Sequence, residues 1–71
     1  MTTATIDILV NGEPRTVAHG ASLLDLLQTL QLDPHGVVVE HNRHIVRRPA
    51  LGLVRVNAGD MVELVHFVGG G

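Results

Sequence analysis

Cysteine and lysine are both missing from this chain of 71 residues, and so are tryptophan and tyrosine. Without cysteine there is no disulfide, no thiol nucleophile and no thiolate ligand for a metal. Without lysine no side-chain amine can form a Schiff base. Stability must come from an aliphatic core, which a hydrophobic content of 45% can supply. Absence of cysteine is also typical of the reducing cytoplasm, so we expect a cytoplasmic location.

Basic charge and aromatic rings are too scarce for a nucleic-acid-binding protein. Five arginines oppose seven acidic residues, the formal net charge is -2, and Phe67 is the one residue of the Phe, Trp and Tyr group. A nucleic-acid-binding domain usually has a basic face and often aromatic side chains that stack on bases. No apolar run approaches the ~18 residues of a membrane span, and the N-terminus lacks a secretory signal. We expect one small soluble domain that binds neither nucleic acid nor membrane.

The first strands are predicted by alternation and by a turn signal. Apolar side chains recur at every second position from Thr5 to Val10, so one face of this strand is apolar. Asn11-Gly12 follows, which is the favoured pair for a tight hairpin turn with positive φ. We expect residues 15–18 to form the returning strand, with Pro14 at a strand start or a sheet edge because it has no amide hydrogen.

A short helix is predicted next. Ser22 and Asp25 have the spacing of a capping box, and the leucines after Ser22 share one side of a helix: Leu23, Leu26, Leu27 and Leu30. Asp33-Pro34 should end the helix, since the residue before proline avoids helical angles. Such a helix has little stability alone and needs a sheet to pack on.

The second half of the chain predicts further extended segments: 37–40 and 44–46 around a turn at 41–43, and Met61–Val68 after a turn at 57–60. Arg47-Arg48-Pro49 is interpreted as an exposed basic corner. The segment 51–56 is a short strand or irregular, and we expect several of its side chains to be partly buried: Leu51, Leu53, Val54 and Val56. One helix on one face of a mixed sheet of about four to five strands, with the last strand beside the first, is the α+β arrangement called the β-grasp.

No group of side chains has the pattern of a catalytic or metal site. His41 and His44 lie in a predicted turn, and zinc needs several convergent ligands, so surface histidines are favoured over a metal site. The acidic residues are scattered and give no paired-carboxylate motif: Asp7, Glu40, Asp60 and Glu63. A nucleophile elbow and a phosphate-binding loop are both missing. We expect a chain that is not itself an enzyme and binds no cofactor.

The three glycines that follow the last strand are the candidate working part. They have no Cβ atom and can adopt backbone angles closed to other residues. Extended, they reach ~10 Å, enough to carry a terminal carboxylate into a buried site. Attack of that carboxylate on the α-phosphate of ATP would make an acyl-adenylate, and sulfur could then displace AMP to leave a thiocarboxylate. The alternative is an inert tail.

The chain resembles the ThiS family, the sulfur carrier proteins of thiazole formation in thiamine biosynthesis. The most specific block runs from Gly59 to Gly71 and reads Gly-Asp-Met-Val-Glu-Leu-Val-His-Phe-Val-Gly-Gly-Gly. Further matches are spread along nearly the whole chain: Asn11-Gly12, Leu23, Leu26, Leu27, Val37–Glu40, Asn42 and Ile45-Val46. The family has a ubiquitin-like β-grasp fold. Residues 50–56 depart from the family, which often has an aromatic residue and more charge there.

The resemblance implies a series of partner reactions. An E1-like adenylyltransferase of the ThiF type would use MgATP to adenylate the carboxylate of Gly71, and a sulfur donor system such as a cysteine desulfurase would convert it to a thiocarboxylate. Thiazole synthase would then take the sulfur, while Gly69 and Gly70 lie in the channels of the partner enzymes. The alternatives are a carrier like the small subunit of molybdopterin synthase, a ubiquitin-like interaction module with a passive tail, and conjugation to other proteins.

The last strand predicts where partners bind. Residues 1–68 are expected to form the β-grasp domain and 69–71 a flexible tail. Alternate residues of the strand face opposite ways, and only one face can meet the helix. We expect Phe67 or Val65, whichever is exposed, to contact partner enzymes, because apolar surface groups often mark binding sites. His66 is a further candidate because it lies next to the tail.

Overall fold

The computed structural model describes residues 4–67, which form five strands, one α-helix and two short 3-10 helices. The strands are β1 (Thr5–Val10), β2 (Glu13–Ala18), β3 (Val37–His41), β4 (His44–Val46) and β5 (Met61–His66), and the α-helix is α1 (Leu23–Thr29). The 3-10 helices are Pro34–Gly36 and Arg48–Ala50. β2 starts earlier than predicted, at Glu13. The prediction for the last strand is wrong at Phe67, because β5 stops at His66. Val68, the predicted last residue of the strand, lies outside the described residues.

β5 occupies the centre of the sheet, whose strand order is β2-β1-β5-β3-β4. β1 and β5 are parallel, while β1–β2, β3–β4 and β3–β5 are antiparallel. The last strand therefore lies beside the first, and the predicted mixed sheet of the β-grasp is confirmed. Pro14 lies in the edge strand β2, as its missing amide hydrogen requires.

The core lies between α1 and one face of the sheet. Leu23, Leu26 and Leu27 of α1 are at most 1% exposed, and Leu30 after them is half-buried. The inward side chains of the strands and two residues of the later loop complete the core: Ile8, Val10, Val17, Val37, Val39, Leu51, Val56, Val62 and Leu64. Full burial of one such side chain stabilises the fold by about 1.5–3 kcal/mol, so aliphatic packing replaces the missing disulfides.

The predicted capping box is present at the start of α1. The Asp25 N–H donates to the Ser22 hydroxyl at 3.0 Å, and the Ser22 N–H donates to the Asp25 carboxylate at 2.9 Å. The Ser22 N–H, followed by its hydroxyl, lowers the pKa of Asp25. Two backbone amides that the helix leaves without intrahelical partners are thereby satisfied.

α1 ends earlier than Asp33-Pro34, so that prediction is wrong. The last helical residue is Thr29, and Gln31 adopts a left-handed φ of 59°. The Gln31 N–H donates to the Gln28 carbonyl and the Leu32 N–H donates to the Leu27 carbonyl, which is the Schellman pattern. The chain therefore turns before it reaches the proline, and Leu32 packs against the core.

The segment 51–56 is irregular. Leu51 and Val56 are buried and Val54 is half-buried, as expected, but Leu53 is 82% exposed and its predicted burial is wrong. The carbonyls of Leu51 and Val54 accept from the first amides of α1, so the backbone of this segment is tied to the helix. Both tied residues face the core, and Leu53 between them points outward.

Candidate functional site

The central strand carries the chain toward the glycines, which lie outside the described residues. β3 pairs with β5 from His41↔Val62 to Val37↔His66. The Phe67 N–H donates to the Gly36 carbonyl at 2.9 Å, so backbone pairing continues one residue beyond β5. The end of β5 is therefore held by backbone pairing with β3 and with Gly36, which precedes β3.

Asn11 extends the contact between β1 and β5 with its side chain. The backbone register of the two strands covers only Leu9↔Met61 and Val10↔Val62. Beyond it, the Asn11 Oδ1 accepts from the Leu64 N–H at 2.7 Å, and the Asn11 Nδ2 donates to the Leu64 carbonyl at 3.3 Å. Asn11 has a φ of 50°, so its side chain reaches β5 from the first position of the predicted hairpin turn.

Asn42 has the same role on the other side of β5. Its φ is 49°, its N–H donates to the Met61 carbonyl at 2.8 Å, and its Oδ1 accepts from the Met61 N–H at 2.9 Å. Both hairpin turns thus use an asparagine in the left-handed region whose amide pairs with the central strand. The sequence predicted both turns but not these two contacts. The available signal for the contacts is an asparagine at the first position of each turn.

A hydrogen-bonded cluster holds the start of β5. The His41 Nε2 lies 2.6 Å from the Asp60 Oδ2, which also accepts from the Asn57 N–H at 2.8 Å, while the Asn42 Nδ2 donates to the Asp60 Oδ1 at 3.2 Å. Partial burial alone would raise the pKa of Asp60, but the hydrogen bonds from His41, Asn57 and Asn42 together hold this pKa below its usual value. His41 is 18% exposed, so its interpretation as a solvated surface histidine is wrong, whereas His44 is exposed.

The outer face of the sheet, opposite α1, carries five exposed apolar side chains at and near the central strand: Leu9, Ile45, Met61, Val65 and Phe67. Val65 is 54% exposed and Phe67 is 62% exposed. We predicted that whichever of these two residues is exposed contacts partner enzymes, and both are exposed. We call this set the apolar outer face.

His66 and the basic corner flank the end of β5. His66 is exposed and lines a cavity of about 340 Å³ with Leu30 and Leu64 on the helix side of the sheet. Phe67 lines a second cavity of about 320 Å³ together with Arg47 and Arg48. The fold therefore brings the exposed basic corner next to the end of the central strand, a proximity that the sequence did not predict.

Two acidic residues lie opposite each other on the outer face. Glu40 of β3 and Glu63 of β5 are direct register partners in the antiparallel pair. These two residues are distant in the sequence, and only the register between β3 and β5 places them opposite each other. Over residues 4–67, no group of three or more His, Cys, Asp and Glu side chains is arranged to hold a metal ion. Within the same range, no helix has the length and apolar character needed to cross a membrane.

Known proteins match this chain in sequence. The ThiS family model matches residues 8–71. The sulfur carrier protein ThiS of Bacillus subtilis is 40% identical over 50 residues, which cover 70% of this chain and 76% of that protein. A thiazole synthase of Magnetococcus marinus is 42% identical over 64 residues, which cover 90% of this chain but only 20% of that protein. The chain thus spans about a fifth of the length of this synthase.

Known structures match it in fold. The crystal structure of the thiamine biosynthesis protein ThiS from Geobacter metallireducens superposes with a TM-score of 0.80 at 36% sequence identity. The match covers 93% of this chain and 100% of the Geobacter chain, so it includes the five-stranded sheet and its helix. Because the family model spans most of the sequence and the fold agrees, the chain belongs to the ThiS family.

Proposed function

We propose that this protein is a sulfur carrier of thiamine biosynthesis that acts through the carboxylate of Gly71. The observation that carries the proposal is the ThiS family match over residues 8–71, which includes the glycines. The anchored central strand supports it, because β5 leads directly toward those glycines. The B. subtilis relative is itself a sulfur carrier protein.

In the proposed cycle the chain is a cosubstrate and the partner enzymes do the catalysis. An oxygen of the Gly71 carboxylate attacks the α-phosphate of MgATP on an E1-like enzyme, pyrophosphate leaves, and an acyl-adenylate forms. The terminal sulfur of a persulfide, carried by a donor such as a cysteine desulfurase, then displaces AMP and forms an acyl disulfide between carrier and donor. A second thiol of the donor system cleaves this S–S bond, so that the thiocarboxylate remains on the carrier and the donor system is left with a disulfide. Gly69 and Gly70 enter the channels of the partners, since the absence of Cβ atoms permits a narrow passage.

The apolar outer face is the proposed docking surface. Val65 and Phe67 are exposed at the end of the central strand, a few residues before the glycines in the sequence. A partner that covers these two side chains is therefore placed to receive the glycines. His66 and the basic corner lie at the rim of the same region. Thiazole synthase is the proposed sulfur acceptor, and the M. marinus protein supports it because a region like this chain is part of a protein of that name.

Intact mass measurement tests the proposed chemistry. The purified chain is incubated with the E1-like enzyme of its own organism, MgATP and a sulfur donor, and we expect the mass rise of one oxygen exchanged for sulfur on Gly71. The matched control lacks Gly71 and should show no change. Absence of the mass rise in the wild-type chain would contradict the proposal, and sulfur transfer to a molybdopterin precursor instead of thiazole would contradict the assignment to thiamine.

A further inference from the structure

The outer face contains a pair of like charges in direct opposition. Glu40 and Glu63 are register partners, and they alternate with the inward residues Val39, Val62 and Leu64. Their side chains therefore point away from α1, on the side of the apolar outer face. Like charges directly opposite each other on neighbouring antiparallel strands destabilise a sheet.

Neither glutamate forms a salt bridge within the part of the chain that the structure describes. Over residues 4–67 the salt bridges are His35–Asp33 and His41–Asp60, and neither involves Glu40 or Glu63. Arg43 and Met61 line a small cavity of about 110 Å³ with the two glutamates, but Arg43 forms no ion pair with them. Within residues 4–67 the two opposed carboxylates are thus left without an ion-pair partner.

The two carboxylates lie within apolar surroundings. Ile45 is the register partner of Glu40 on β4, and Met61 and Val65 flank Glu63 at the neighbouring outward positions of β5. A protein that covers these apolar groups must also take the carboxylates out of water. Burial of unpaired charges is unfavourable, and a cation with matching hydrogen-bond donors removes the cost.

We propose that Glu40 and Glu63 together receive an arginine or lysine side chain of thiazole synthase when that enzyme covers the apolar outer face. The inference rests on the proposed function, because that function identifies thiazole synthase as a partner. A guanidinium fork or an ammonium group donates to both carboxylates and relieves their repulsion. The pair then determines specificity, since a partner without the cation would bury two like charges against each other.

Binding of the full-length chain to purified thiazole synthase of the same organism tests the inference. Titration calorimetry at several salt concentrations compares wild type with Glu40→Gln, Glu63→Gln and the control Glu13→Gln, an exposed acidic residue of β2 that changes the net charge equally. We expect about tenfold weaker binding for each of the first two variants and a shallower dependence on salt. Their thermal midpoints should rise because the repulsion is removed, while Glu13→Gln resembles wild type in all three respects.

Contrary outcomes separate the inference from the proposed function. If wild type binds and both test variants bind equally well with the same salt dependence, the inference is overturned and the proposed function stands. If wild type neither binds the synthase nor acquires a thiocarboxylate, the proposed function fails and the inference fails with it. If the two variants lose thiocarboxylate formation as strongly as synthase binding, the cation belongs to the activating enzyme, which overturns the assignment to thiazole synthase.

Discussion

At the scale of single residues, two asparagines at hairpin turns hold the central strand in place. Asn11 and Asn42 each adopt a positive φ that asparagine tolerates better than most residues, and each pairs its side-chain amide with β5. A side chain thereby replaces the backbone pairing that ends where the hairpin turns away. The position of the strand that leads to Gly71 depends on these two residues as well as on the core.

Asn11→Ala should lower the free energy of unfolding by about 1–3 kcal/mol, because two hydrogen bonds to Leu64 are lost. Alanine also tolerates the left-handed φ of 50° poorly. Asn11→Gly removes the same hydrogen bonds without that backbone strain, so it should be less destabilising than Asn11→Ala. Urea unfolding measures both variants, and equal stability of wild type and Asn11→Gly would show that the side-chain contact contributes nothing.

Asp60 should make stability depend on pH. Its folded pKa is lowered, so its contribution is fully present above the unfolded pKa of about 4 and is lost as the pH falls through the folded pKa. Asp60→Asn should therefore be destabilised by about 1–3 kcal/mol near neutral pH, and the difference from wild type should shrink in acid.

Urea unfolding from neutral to acidic pH tests the role of Asp60. The difference between the two proteins isolates Asp60, because Asp25 and Asp33 also have lowered pKa values, through the N–H groups of Ser22 and His35, and are present in both. A difference that stays constant with pH would contradict the role assigned to Asp60.

At the scale of elements, α1 ends at a local signal, the left-handed Gln31, and not at the Asp33-Pro34 pair that the sequence suggests. The helix has seven residues and is stable only because its leucines are buried under the sheet. Gln31 occupies the left-handed position after the helix, where glycine is the usual residue. The strain at this position is tolerated because Leu32 then reaches the core.

Gln31→Gly should raise the free energy of unfolding by about 0.5–1 kcal/mol, because glycine adopts a positive φ without strain. The matched control Gln28→Gly makes the same change within α1 and should lower it by about 1 kcal/mol. Thermal unfolding followed by circular dichroism compares the two variants. A loss of stability in Gln31→Gly would mean that the glutamine side chain stabilises the helix end.

At the scale of the whole molecule, the two faces of the sheet have different roles. The inner face packs on α1 and provides stability, whereas the outer face carries exposed apolar groups together with the exposed Glu63 and the half-buried Glu40. Exposed apolar groups contribute little to folding, so their grouping on one face is expected to serve binding.

Phe67→Ser should slow thiocarboxylate formation by the activating enzyme about tenfold if Phe67 anchors the partner. Its stability should stay within about 0.5 kcal/mol of wild type, because Phe67 is largely exposed. Leu53→Ser is the matched control, since Leu53 is even more exposed but belongs to the loop tied to α1. Equal rates for both variants and wild type would exclude Phe67 from the interface.

Local signals in the sequence predicted most elements of the fold. Alternation, the Asn-Gly pair and the capping box depend on neighbours within a few residues, so β1, the hairpin turn and the start of α1 could be inferred. The burial of Leu53 was predicted wrongly because hydrogen bonds from α1 to the carbonyls of Leu51 and Val54 fix the backbone of that loop. The end of α1 was predicted wrongly because Gln31 adopts a left-handed φ before the chain reaches Asp33-Pro34. Exposure of Val65 and Phe67 could be stated only as alternatives, since periodicity does not show which face meets the helix.

The sequence by itself determined the β-grasp pattern, the family resemblance and the glycines after an apolar strand, because each depends only on consecutive or regularly spaced residues. The tertiary structure alone decided which residues meet across the sheet. Asn11 and Leu64 are 53 positions apart, and His41 and Asp60 are 19 apart. The opposition of Glu40 and Glu63 likewise follows from the register between β3 and β5. A register is set by the packing of whole strands on a shared core, so no local pattern could have specified it.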